Sequence, residues 1–146
     1  MVTITLKIEE LHSYSSHFVV LMQALSKGSH IRKALLLMRT LDTALAPLKL
    51  QQQRIGELFQ RGVLPTSEVD GLSYRALISY VESKLKVMPD DGDTLHEIIK
   101  YAKSIIEELA MELPIEVEPL ELTDDDLDSL NVTALTIYGC GPFVRG

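Results

Sequence analysis

Residues 29–61 read SHIRKALLLMRTLDTALAPLKLQQQRIGELFQR, and one row of positions recurs in steps of three and four: Ile31, Ala34, Met38, Leu41, Leu45, Leu48, Gln52, Ile55 and Phe59. Residues at i, i+3, i+4 and i+7 share one side of an α-helix, so the spacing predicts a long central helix with one apolar seam, broken only at Gln52. Such a helix needs other elements to cover it. Pro47 falls inside, where it has no N–H to donate and its ring opposes the carbonyl of Thr43, at roughly 3 kcal/mol in a helix interior. The seam keeps its phase on both sides of the proline, which predicts a kink and not a break.

The pattern changes at both ends of the chain. Val2 to Lys7 alternates apolar and polar residues with β-branched side chains, the period of a strand. Residues 9–27 place Leu11, Tyr14, Phe18, Leu21 and Leu25 on one helical face. Glu9 and Glu10 suit the positive end of that helix and Lys27 the negative end. Gly28 is read as its left-handed close and Ser29 as the N-cap of the long helix. Gly62 ends the long helix, and residues 63–72 form a turn-rich loop with a short helical turn after Thr66.

A helix over 73–88 follows, with Tyr74, Leu77, Val81, Leu85 and Met88 in phase. After the loop MPDDGDT, Thr94 and Glu97 match a capping box that opens a helix with the broadest apolar stripe of the chain, Leu95 through Leu113, stopped by Pro114. Residues 115–122, IEVEPLEL, alternate again and predict a second strand with Pro119 on an edge, paired with Val2 to Lys7. Thr123 with three following aspartates opens a short helix, and Thr133 caps another that Gly139 ends. The expected fold is therefore α+β and mostly α. It comprises a helical bundle with a long kinked central helix and a small two-stranded antiparallel sheet formed by the N- and C-terminal strands, in a single domain over 1–146.

Composition narrows the packing more than the pattern. Hydrophobic residues make up 46% of the 146 residues but aromatics only 5%, with no Trp, so aliphatic side chains must fill the core. One cysteine, Cys140, allows no intramolecular disulfide. The opening VTITLKIEEL lacks the basic and long apolar stretches of a signal peptide, and no window approaches the ~18 uninterrupted apolar residues of a membrane span. A soluble intracellular chain without a membrane partner is expected.

Charge is uneven within a net −7: the first 61 residues carry eight Lys and Arg against four Asp and Glu, the remainder six against seventeen. Residues 107–128 hold ten acidic side chains and no basic one. An acidic run is ordinarily a solvated face, and in functional terms it offers a surface to a basic protein partner. It disfavours nucleic acid, which is held by cations that displace counterions. The basic residues of the long helix, from Arg32 and Lys33 to Arg61, are scattered and lack interleaved aromatics.

No cluster points to catalysis, a metal or a cofactor. His12 and His17 are five apart and lie on different faces of a helix, unlike a zinc pair at i, i+4. Placing Gly92 at the sixth position of a calcium loop puts Val87 and Pro89 where ligands belong. Cys140 has no base beside it in sequence, and Gly139-Cys140-Gly141-Pro142 is too short for a phosphate loop, so it reads as a helix end and turn. The candidate protein-binding residues are Glu116, Glu118, Glu121, Asp124, Asp125 and Asp126 from the acidic run. Tyr138 and Phe143 join them from the tail, whose alternative is to tuck onto the core.

Three stretches, VTITLKIEEL, IRKALLLMRTLDTALAPLKLQQQRIGELFQRG and PIEVEPLELTDDDLDSLNVTALTIYGCGPFV, together about half of the chain, resemble a group of short uncharacterised tailed-bacteriophage proteins. Residues 63–93 depart from them. That group has no assigned activity or site residues. The resemblance implies a non-enzymatic phage protein acting by protein–protein binding, a small virion structural or assembly component found in the virion or the host cytoplasm. The acidic run supplies an alternative, a factor that binds and inhibits or redirects a host enzyme such as RNA polymerase or a defence protein. The regular seam also suits a homo-oligomer, although cover by the chain's own helices is the simpler use.

Overall fold

The computed structural model describes residues 1–145 and is a mostly helical α+β fold. In chain order its elements are β1 (Val2–Lys7), α1 (Ile8–Ala24), α2 (Gly28–Phe59), α3 (Thr66–Val69), α4 (Tyr74–Leu85), α5 (Gly92–Ala110), β2 (Glu112–Val117), β3 (Leu120–Glu121), α6 (Asp124–Ser129), α7 (Ala134–Gly139) and β4 (Val144–Arg145). The chain gathers into two compact units, residues 1–45 with the chain from 111 on, and residues 46–110. Helix α2 contributes to both.

Helix α2 stays unbroken through Pro47. Pro47 and Thr43 are both exposed, so the carbonyl deprived of its N–H partner lies on the side that water reaches. The seam is buried at Ala34, Met38, Leu41, Leu45, Leu48 and Ile55, and half-buried at Ile31, Gln52 and Phe59. Leu37 and Leu58 widen it. Three consecutive leucines cannot share one helical face, and Leu35 and Leu36 accordingly stand in solvent.

In the first unit, β1 and β2 form an antiparallel ribbon pairing Val2 with Val117 through Lys7 with Glu112. This joins the two expected strand regions, but the second strand starts three residues earlier than 115 and stops at Val117. The α5 stripe correspondingly ends at Ala110 and not at Pro114, which lies inside β2 opposite Thr5. A proline fits there because the Ile8 N–H to Met111 carbonyl bond (2.9 Å) sets the ladder phase: pairs with even positions on β1 exchange hydrogen bonds, and Thr5–Pro114 does not. Residues 120–122 of the single strand expected over 115–122 belong elsewhere. Leu120–Glu121 pairs in parallel with Val144–Arg145, extended by Leu122 N–H donating to the Arg145 carbonyl at 2.8 Å. Pro119 is buried between the two sheets' strands and is part of neither.

Gly28 does not close α1. That helix ends at Ala24 with an extended Leu25, and Gly28 opens α2 with Ser29 inside it. The left-handed glycines are Gly62, after α2, and Gly71 and Gly141. Gly141 is the informative one. A Cβ there would sit 2.6 Å from Tyr14 Cε1, and one on Gly139 would sit 2.4 Å from His17 Cδ2. The two glycines let the tail lie flat against the α1 rings, and Phe143 then meets Tyr14 edge-on with centroids 6.1 Å apart. Phe18, Phe143, Leu11, Leu21 and Leu120 are buried in this unit.

The second unit packs α4 against α5 across a 3-10 turn at Pro89–Asp91, burying Leu77, Val81, Leu95, Ile98, Ala102 and Ile105. Ser73 caps α4 by accepting from the Ala76 N–H at 3.2 Å. The capping box expected at Thr94 does not form, because α5 begins at Gly92. Both side chains turn to Arg61 instead, which donates to Thr94 Oγ1 at 3.3 Å and lies 3.8 Å from Glu97.

Candidate docking surface

Alternation along β2 places Leu113, Ile115 and Val117 inward and leaves Glu112, Pro114 and Glu116 exposed, with exposed Glu118 next in the same phase. Glu121 continues the exposed acids on β3, and Asp124 and Asp125 on the first turn of α6. Acids suit that turn because its N–H groups are unpaired. Five of the eight candidate residues, Glu116, Glu118, Glu121, Asp124 and Asp125, are therefore exposed in one acidic run. Lys33 lies 3.9 Å from Glu118, an exposed pair of small energetic weight.

Asp126 is not on that surface. It is buried, and both of its oxygens are used: Oδ2 accepts from the Thr123 N–H at 2.9 Å, Oδ1 accepts from Lys27, and His30 Nε2 lies 3.7 Å away. Thr123 Oγ1 accepts from the Asp126 N–H in return, completing a capping box. The Lys27 ammonium and the Thr123 N–H hold the Asp126 carboxyl well below the usual carboxylate range. Phe143 is likewise withdrawn, fully buried under Tyr14, so the tail tucks its phenylalanine onto the core. Tyr138 stays out at 86% exposure, with Leu135 at 79% one turn before it on α7.

Two other titratable side chains are shifted by their surroundings. Burial pushes the Cys140 thiol up to about 11, and it donates to the Thr136 carbonyl at 3.3 Å. Tyr80 donates to Glu68, which pushes its phenol up to about 12, and Lys84 stands 5.4 Å over its ring. Among the described residues no three His, Cys, Asp or Glu side chains gather where a metal ion could sit, and no helix is long and apolar enough to cross a membrane.

Sequence reasoning missed Glu112 and the ground beside it. Two adjoining depressions of about 280 and 480 Å³ run along β2 from Leu113 to Glu118, with Lys33, Leu36, Leu37, Arg39, Thr40, Thr43 and Ala44 of α2 as the other wall. The signal for Glu112 was the period-two row Glu112, Pro114, Glu116, Glu118, hidden because Pro114 reads as a helix stop. No family model, no curated protein and no solved structure matches this chain.

Proposed function

We propose that this chain is a non-enzymatic protein that works by docking onto another protein, as a small virion structural or assembly component of a tailed phage. The docking part is carried by one observation: Glu116, Glu118, Glu121, Asp124 and Asp125 are all exposed, with one weak counter-ion pair to Lys33 among them. A run of that sign favours a basic partner surface and speeds encounter with it. The phage setting is supported by the resemblance of the three sequence stretches to short phage proteins.

Quantitative mass spectrometry of purified particles tests the reading, alongside a variant in which Glu116, Glu118, Asp124 and Asp125 become lysine. A fixed copy number per particle, lost in the variant, is the expected result. Absence from particles and from their assembly intermediates overturns it. The acidic run also supports a second reading, a factor that captures a basic host enzyme; charge-dependent binding to such an enzyme without incorporation into particles would select it.

A further inference from the structure

We infer that the free edge of β2 is a strand-addition site for an extended segment of a partner protein in which apolar residues alternate with lysine or arginine. The inference rests on the protein-binding reading above and specifies how the partner is held. The ladder phase set by Ile8 and Met111 turns the backbone groups of Glu112, Pro114 and Glu116 away from β1. That edge therefore offers the N–H and C=O of Glu112 and Glu116 and the C=O of Pro114, a template with one donor missing. The missing donor blunts indiscriminate pairing and favours one register. The β1 edge is different: its Lys7 N–H is already taken by Glu10 Oε1 at 3.2 Å.

An added strand would lie about 4.8 Å from β2, in the depressions that α2 walls on the far side. Its residues beside Leu113, Ile115 and Val117 would turn toward the α2 wall, where Leu36 stands 61% exposed and unpartnered. Its alternate residues would flank Glu112, Glu116 and Glu118 on the outward face, where a cation is favoured and a carboxylate is not. β1 already meets β2 by this rule: Leu6, Ile4 and Val2 oppose the apolar positions, and Lys7 opposes Glu112. Main-chain bonds supply affinity in this mode and the alternating side chains supply selectivity.

The test uses the full chain, nitrogen-15 labelled, and a synthetic probe, Val-Lys-Ile-Lys-Leu-Lys, which is the β1 sequence with lysine in place of both threonines. A block peptide of the same composition, Lys-Lys-Lys-Val-Ile-Leu, is the control. Expected are shifts at the Glu112 and Glu116 amides with the probe, and binding about tenfold weaker with the block peptide, the worth of a few mismatched cross-strand side-chain pairs. Glu116→Pro removes an outward N–H that the ribbon does not use, so β1–β2 pairing persists while probe binding falls about tenfold. Thr3→Pro, the equivalent change on the β1 edge, leaves it intact. A probe N-methylated at alternate residues gives the same readout with the unaltered protein, whatever Glu116→Pro does to folding. Binding that survives both Glu116→Pro and N-methylation but disappears in Glu112→Lys/Glu116→Lys overturns strand addition and leaves acidic-surface docking standing. No binding of the probe overturns the edge site, and the particle experiment then decides the wider reading separately.

Discussion

Replacing Gly141 with alanine should damage the first unit through two separable effects. The backbone there has φ +58°, where an L-residue is strained by about 1–2 kcal/mol. The new Cβ would also sit 2.6 Å from Tyr14 Cε1 and 2.8 Å from two further ring atoms. A methyl cannot occupy that space unless the Tyr14 ring moves, and the ring is held edge-on against fully buried Phe143. Overpacking of this kind costs about 1–3 kcal/mol, so the sum is about 2–5 kcal/mol. With a slope of about 1.5 kcal/mol per molar urea, the midpoint should fall by roughly 1.3–3.3 M. Gly139→Ala is the matched comparison. Its Cβ meets the His17 ring at 2.4 Å, but His17 is exposed and can swing into solvent, and Gly139 lacks a positive φ. That change should cost under about 1 kcal/mol, since alanine also recovers helix propensity. A double-mutant cycle separates the effects: in a Tyr14→Ala background the clash is gone, so Gly141→Ala should retain only its backbone strain, a coupling of about 1–3 kcal/mol. Urea unfolding followed by circular dichroism measures the four chains of the cycle and Gly139→Ala. Equal costs for the two glycine substitutions, or zero coupling to Tyr14, would refute the claim that the ring lies flat on Gly141.

Two further outcomes follow from the α6 cap. Thr123→Ala removes the acceptor for the Asp126 N–H and half of the capping box, and should lower stability by about 1 kcal/mol in urea titrations; no change would mean that the box contributes nothing. Asp126 has a folded-state pKa held below its unfolded value near 4, so its stabilisation is complete above about pH 4 and is lost as pH falls below it. The urea midpoint of the wild type should therefore decline below pH 4 more steeply than that of Asp126→Asn, and identical slopes would remove Asp126 from the acid transition.

The parts that could be read in sequence were those in which local signal and tertiary use agree. The α2 seam, the β1 alternation, Thr123 with its aspartates and Gly62 each carry their reason within one or two turns of chain. Errors arose where one residue type serves two purposes. Proline ordinarily stops helices, so the pattern carries the helix as far as Pro114, whereas the ribbon tolerates proline at a position that exchanges no hydrogen bond. Thr94 and Glu97 have capping-box spacing, but Arg61, 33 positions away from Thr94, engages both. Gly28 has the composition of a helix close but starts the next helix. Asp126 looked like its neighbours until Lys27, 99 positions away, accounted for its burial. Long-range partners of this kind leave no periodicity behind.

Two prolines divide the acidic segment by function. Pro114 faces the open edge of β2, and Pro119 lies buried between β2 and β3. The pattern of IEVEPLEL is that of one continuous alternating strand, but Val117 pairs with Val2, the first residue of β1, so the register leaves no β1 residue opposite Leu120 or Leu122. Instead the chain leaves the ribbon at Val117, and Leu120–Glu121 is left to pair with Val144–Arg145. That pairing draws the tail in, seats Phe143 under Tyr14, and requires the flat passage at Gly139 and Gly141. The consequence for the docking surface is direct: β3 pairs with β4 and not with β2, so the ribbon is two strands wide and Glu112 and Glu116 keep an open edge.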